Sequence, residues 1–146
     1  MFFNTDFLRD GEIYLKLVNT SSGNPEKGYV PAYHFNICNS KDENVGSCDL
    51  RIEHNRNTYY GGNIGYSVKP EYRGNHYAGK ASRLLLELAR MHNMGYVIIT
   101  CSPENIASKK SIEYAGGILQ KIMELPSDTD MYLLGDRNKC QYKIEL

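Results

Sequence analysis

The sequence predicts a mixed α/β fold, with one central sheet of about six to seven strands. An antiparallel meander comes first and a β-α-β-α-β-β order follows. Three observations predict it. The first half holds short segments of alternating polarity, separated by polar or glycine-rich turns. The middle holds one strongly periodic helix. Just after it, Tyr96–Thr100 is a continuous apolar run, as in a strand buried on both faces.

The elements follow in order. Glu12–Val18 alternates and reads as a strand, and Thr20–Gly28 is a loop by composition. Ala32–Cys38 alternates again. "NSKDEN" turns the chain into a third strand, Val45–His54, with Cys48, Leu50 and Ile52 facing inward. Asn55–Asn57 reads as a short polar turn, so a strand over Thr58–Val68 is expected to pair antiparallel. Gly61, Gly62 and Gly65 inside it mark a bulge or a close approach by another backbone or a ligand. The helix over Ala78–Met94 places Ala81, Leu84, Leu85, Leu88 and His92 on one face, with Lys80, Arg83, Glu87 and Arg90 on the wet side. Gly95 stops it. Asn105–Gly117 reads as a short helix with Asn105 as N-cap and Gly116 at its end. Ile118–Leu125 and Lys139–Leu146 are two more strands, joined by the long loop "PSDTDMYLLGDRNK".

The 146 residues suit a single domain spanning positions 1–146. A chain of this size buries roughly 68–70% of its unfolded surface, enough for a core without staples. Seventeen basic residues balance seventeen acidic ones, and no charge block runs along the chain. A nucleic-acid partner is therefore not expected. No apolar run reaches the roughly 20 residues of a membrane span, and the start does not resemble a signal peptide. Cys38, Cys48, Cys101 and Cys140 lack metal-site spacing and read as reduced thiols, which implies a cytoplasmic protein with no metal.

One stretch carries chemistry. Gly74–Lys80 fits the G-x-x-x-x-G-K of a nucleotide-binding P-loop, yet Ala81 stands where that loop needs Ser or Thr for magnesium. The preceding strand belongs to a meander, and Tyr96–Thr100 leads into no metal-binding Asp. An NTPase is disfavoured on these grounds. A strand, a glycine loop and a helix N-terminus remain. That is either a metal-free anion site or a loop that needs glycine only to turn. Arg73 and Lys80 would add charge-assisted contacts to an anion there.

"GYSVKPEYRGNHYAGKASRLLLELA" resembles motif A of the GNAT (Gcn5-related) acetyltransferases, R/Q-x-x-G-x-G/A, with Arg73 and Ala78 at its ends. "NIASKKSIEYAGG" resembles the motif B that follows it. The likeness runs from about Ile64 to Gly117. The resemblance implies an acetyl-CoA-dependent N-acetyltransferase acting by direct attack of an amine, carried by a small molecule or a peptide. It allows a homodimer. Tyr66, Ser67 and Val68 would hydrogen-bond the pantetheine arm as an added strand. Amides of Arg73, Gly74, Asn75, His76, Tyr77, Ala78 and Gly79 would hold the pyrophosphate. Asn105 would bond the pantetheine arm, and Ser108 would lie near the thioester sulfur as the acid for the leaving thiolate. Lys109 and Lys110 either approach the phosphates or form a solvated face.

The departures are equally specific. His76 sits at the motif's central Gly. Ile112 stands where many relatives keep a catalytic Tyr, and Tyr114 lies about 200° around the helix from the expected direction. No carboxylate occurs from Thr58 to Lys69, so Glu53 is the nearest acid in sequence and the candidate base. Tyr59, Tyr60 and Tyr66 are candidates to line the acceptor channel. Thr20–Gly28 leaves little room for the helices that usually wall the acceptor site. These losses keep a second reading open: an acyl-CoA-binding module or sensor of the same fold.

Overall fold

The computed structural model describes residues 1–146. β1 (Ile13–Ser21), β2 (Ala32–Asn39), β3 (Asn44–Arg51) and β4 (Ile64–Val68) form an antiparallel sheet in that order. β5 (Tyr96–Cys101), β6 (Ile118–Glu124) and β7 (Asn138–Glu145) form a second one, ordered β5-β7-β6. The seven strands and the mixed class follow the sequence. The expected single sheet, however, divides into two ladders between β4 and β5.

Asn63 is the hinge between them. Its amide donates to the Ile98 carbonyl at 2.6 Å, and its Oδ1 accepts from the Ile98 amide at 2.9 Å. Its Nδ2 donates to the carbonyls of Arg51 and Glu53. Fully buried, it has every polar group engaged, as a buried amide requires. Gly62 allows this approach, because a Cβ there would lie 3.1 Å from the Ile98 carbonyl oxygen. Beyond Asn63 no ladder joins β4 to β5, and the two strands splay.

α2 (Tyr77–Met91) crosses from β4 to β5. Ala81, Leu84, Leu85 and Leu88 are buried as the periodicity requires, while Arg83, Glu87 and Arg90 stay exposed. The helix packs on Tyr33, Phe35 and Leu50 of the first sheet in one continuous core. α3 (Ile106–Tyr114) lies beside α2 and starts at the predicted cap, with Asn105 Oδ1 accepting from the Ser108 amide at 3.0 Å.

Two segments differ from the sequence reading. Residues predicted to open a long strand from Thr58 instead form α1 (Arg56–Gly61). Asn55 and Thr58 cap it reciprocally, each side chain taking the other's amide at 2.9 Å, so "NRNT" is a helix start and not a hairpin turn. The long loop after β6 contains a single turn of helix, α4 (Asp130–Leu133), capped by Thr129. The β1–β2 connection holds only a short 3₁₀ turn, Pro25–Lys27. The face of the first sheet turned away from α2 is therefore uncovered. All four cysteines are buried free thiols. No helix is long and apolar enough to cross a membrane.

Candidate active site

The splay of β4 from β5 leaves β4 with one unpaired edge. Arg51 N–H donates to the Asn63 carbonyl at 2.7 Å and Lys69 N–H to the Val45 carbonyl at 2.9 Å, which sets the phase of the β3–β4 ladder. Antiparallel pairs alternate. In the register Asp49↔Gly65, Ser47↔Ser67, the backbone groups of Gly65 and Ser67 turn to β3. Those of Ile64, Tyr66 and Val68 turn to the open side. Of the three residues expected to take an added strand, Tyr66 and Val68 turn their backbone groups to the open side and Ser67 does not. Arg73 marks the same edge, with its Nε donating to the Val68 carbonyl at 3.2 Å.

The loop after β4 carries a run of unpaired backbone amides. The amides of Gly74, Asn75, His76, Tyr77, Ala78 and Gly79 have no acceptor within the chain. The His76 side chain does not cap α2. Gly74 (φ 92°) and His76 (φ 60°) are left-handed, which folds these N–H groups into a concave nest at the positive end of the helix. His76 therefore adopts the strained conformation that its motif position implies, and something must hold it there. Its ring stacks on Tyr114, centroids 5.2 Å apart and 13° from parallel. The Arg83 guanidinium sits 3.9 Å from the Tyr114 centroid and donates to the Tyr114 carbonyl. Gly79 is the floor of this stack, because a Cβ there would lie 2.5 Å from Tyr114 Cδ1.

One cleft of about 370 Å³ connects edge, loop and α3. Tyr66, Ser67 and Val68 line it from β4, and Arg73, Gly74 and His76 from the loop. Tyr77 and Ala78 open α2 there, and Asn105 and Ser108 face them from α3. Asn75 and Gly79 do not line it: the Asn75 side chain donates to the Tyr72 carbonyl, and Gly79 is buried against Tyr114. Lys80 is engaged in an ion pair with Glu12, which raises its pKa. Lys109 and Lys110 lie outside the cleft.

Ser108 does not bond its own helix through the hydroxyl. Its Oγ lies 2.6 Å from the Tyr66 hydroxyl, across the cleft from β4 to α3. Burial pushes the Tyr66 pKa up to about 12, only partly offset by the bond to Ser108, so the phenol keeps its proton. This pairing was not legible in sequence, because Tyr66 reads equally well as a plain strand residue. Ile112 is fully buried in the core, and Tyr114 is committed to the His76 stack. Neither enters the cleft.

Glu53 is exposed and lies beyond the end of β3, beside the hinge. The carboxylate nearest the open stretch of β4 is instead Asp49, whose Oδ1 accepts from the Gly65 amide at 2.9 Å. The sequence signal was Gly65, since a Cβ there would lie 2.6 Å from that oxygen. Of the three tyrosines expected along an acceptor channel, Tyr66 alone lines this cleft. Tyr59 borders a separate hollow beside β5, against His54 and Tyr96.

A strand edge opened by a splay, leading into an uncapped helix N-terminus, defines a site for an extended ligand with an anionic end. The profile of the Acetyltransferase (GNAT) domain matches residues 8–118, and the chain belongs to that family. No curated protein matches the chain. Among solved structures it is similar to a GNAT acetyltransferase from Bacillus anthracis, at 20% identity and TM-score 0.61, covering 77% of this chain and 65% of that one. It is also similar to the ribosomal-protein-S5-alanine acetyltransferase from Vibrio fischeri (16% identity, TM-score 0.62, 78% of this chain and 61% of that one). A third is the spermidine N-acetyltransferase from Vibrio cholerae, solved with CoA and spermine (14% identity, TM-score 0.59, 78% and 66%). The chain thus spans less than two thirds of the length of the first two relatives.

Proposed function

We propose that this protein is an acetyl-CoA-dependent N-acetyltransferase acting on a primary amine of a small molecule or peptide. The observation that carries the reading is the run of acceptor-free amides from Gly74 to Gly79, continuous with the open edge of β4. A pyrophosphate would occupy the nest, with Arg73 beside it. The amide-bearing arm would pair with Tyr66 and Val68 as an extra strand. The Asn105 Nδ2, which has no partner within the chain, is free to donate to that arm.

The acetyl end would then lie between β4 and Ser108. An N–H on the open side of β4 would polarise the carbonyl. Ser108 would donate its proton to the departing sulfur, and Tyr66, protonated and 2.6 Å away, would resupply it. The chain thereby replaces the absent helix tyrosine with one from the strand. The missing acid on β4 favours a second reading, an acyl-CoA-binding module without turnover.

The test is thermal and chemical. Acetyl-CoA should raise the melting temperature by mass action, and EDTA should leave that shift unchanged because the site is built of amides. Release of free thiol from acetyl-CoA in the presence of amines separates an enzyme from a binding module. A shift abolished by EDTA, or exceeded by ATP with magnesium, refutes the reading of the loop.

A further inference from the structure

The second sheet has two unlike faces. Strand residues alternate between them, and Val97, Ile99, Cys140 and Tyr142 join the core shared with α2. Tyr96, Gln141 and Lys143 therefore share the opposite face. With His54, Tyr59 of α1 and Lys121 of β6 they line a hollow of about 510 Å³. It shares no residue with the cofactor cleft.

The chain as a whole is neutral, yet two lysines line this hollow and no carboxylate does. Lys121 stands opposite Gln141 in the β6–β7 register, and Lys143 lies two residues further along β7. Diagonal neighbours of this kind are about 7–8 Å apart, so both ammonium groups can reach one small anion. Each is seated on an aromatic ring. Lys121 Nζ lies 5.1 Å from the Tyr59 centroid, and Lys143 Nζ lies 4.6 Å from that of Tyr96. Such seats hold a cation in place without neutralising it. Lys143 is also paired with Glu145 at 3.1 Å, but Lys121 has no ion pair. His54 fixes the Tyr96 wall: its ring stacks on Tyr96 with centroids 4.0 Å apart, and its Nε2 donates to the Met94 carbonyl at 3.1 Å.

Gln141 supplies a second, independent signal. It is only 3% exposed, and its Nε2 donates to the Tyr59 carbonyl at 3.0 Å. That bond fixes which end of the amide is the donor. The Oε1 has no hydrogen bond within the chain, whereas every fully buried side-chain polar atom has one. The oxygen is therefore reachable, and the hollow is the space Gln141 lines.

We propose that this hollow binds a small phosphate monoester that also carries a hydroxyl group. Two ammonium groups at one place suit a phosphate, whose charge is about −1.5 to −2 at neutral pH, better than a singly charged carboxylate. The lysines take the phosphate oxygens by charge-assisted bonds. Gln141 Oε1 can only accept, so it selects a ligand with a donor beside the anion.

The experiment titrates the full chain at low salt with glycerol 3-phosphate, methyl phosphate and malate. NMR follows the Gln141 side-chain amide, the lysine ε-methylene groups and the backbone amides of Gly74–Gly79. Glycerol 3-phosphate should move the Gln141, Lys121 and Lys143 signals together on one saturating curve. Methyl phosphate, which lacks the hydroxyl, and malate, which lacks the phosphate, should each bind several-fold more weakly. K121Q and K143Q should each weaken glycerol 3-phosphate about 10-fold, the usual worth of one bond to a charged group. Both variants should keep the wild-type acetyl-CoA shift in melting temperature, because the cleft is elsewhere. Shifts confined to Gly74–Gly79, wild-type affinity in both lysine variants, or methyl phosphate or malate bound as tightly as glycerol 3-phosphate would overturn the proposal.

Discussion

Gly79→Ala should change sign in its effect on stability, depending on what stands at position 114. Gly79 lies in the first turn of α2 without a left-handed φ, so alanine is acceptable to the backbone. On propensity alone the change should stabilise by up to about 1 kcal/mol. The new methyl would lie 2.5 Å from Tyr114 Cδ1 and 3.3 Å from the Ser111 carbonyl oxygen. The ring cannot yield freely, because His76 and Arg83 both lean on it. Overpacking of this kind costs about 1–3 kcal/mol, which outweighs propensity. In a Tyr114→Ala background the obstruction is gone and the gain of up to about 1 kcal/mol should emerge. Urea unfolding of the four proteins in a double-mutant cycle measures this directly, with an expected coupling of about 1–3 kcal/mol. The same variants should bind acetyl-CoA less tightly, because the Tyr114 ring stacks on the His76 ring beside the loop. If Gly79→Ala moves stability by the same amount and sign in both backgrounds, Gly79 is not there for Tyr114, and the stack does not shape the loop.

Ser108→Ala and Tyr66→Phe should each lower kcat and kcat/KM together by roughly 10²-fold with little change in the acetyl-CoA KM, and the double variant should be no worse than either. Additive losses would separate the two hydroxyls. Arg73→Ala should weaken acetyl-CoA binding several-fold at low salt and converge on wild type near 1 M salt, where charges are screened beyond about 3 Å. An equal loss at both salt concentrations would mean that the guanidinium positions the loop instead. His92 is the group to follow in acid. Its Nε2 lies 2.6 Å from the Tyr33 hydroxyl, which also accepts the Phe3 amide. Burial lowers the His92 pKa below the usual histidine range. Below that range the unfolded chain binds the proton that the folded one refuses, so stability falls as pH drops from 7 towards the depressed value. His92→Gln should flatten that slope in melting temperature between pH 7 and 5, and an unchanged slope would clear His92.

What the sequence determined by itself is local. The 3.6 periodicity of Ala81, Leu84, Leu85 and Leu88, the Asn105 cap and the apolar run after Gly95 place α2, α3 and β5 within a few residues. Those signals act between near neighbours, and a side chain's own chemistry suffices to produce them. The same holds for the anion loop, whose glycines and helix start are contiguous. The "NRNT" segment failed the reading because a cap and a turn use the same residues, and only the reciprocal Asn55–Thr58 bonds separate them. Tertiary structure decided everything that joins distant residues. Asn63 reads as an ordinary polar residue until Ile98 stands opposite it, and that meeting joins the two ladders at the point from which β4 and β5 splay. Tyr66 and Ser108 are 42 positions apart and meet only because that edge faces α3. Asp49 replaced Glu53 as the acid near β4 because cross-strand register, and not distance along the chain, sets which carboxylate lies over Gly65. Periodicity says which way a side chain points, but the packing of one element on another decides what it meets.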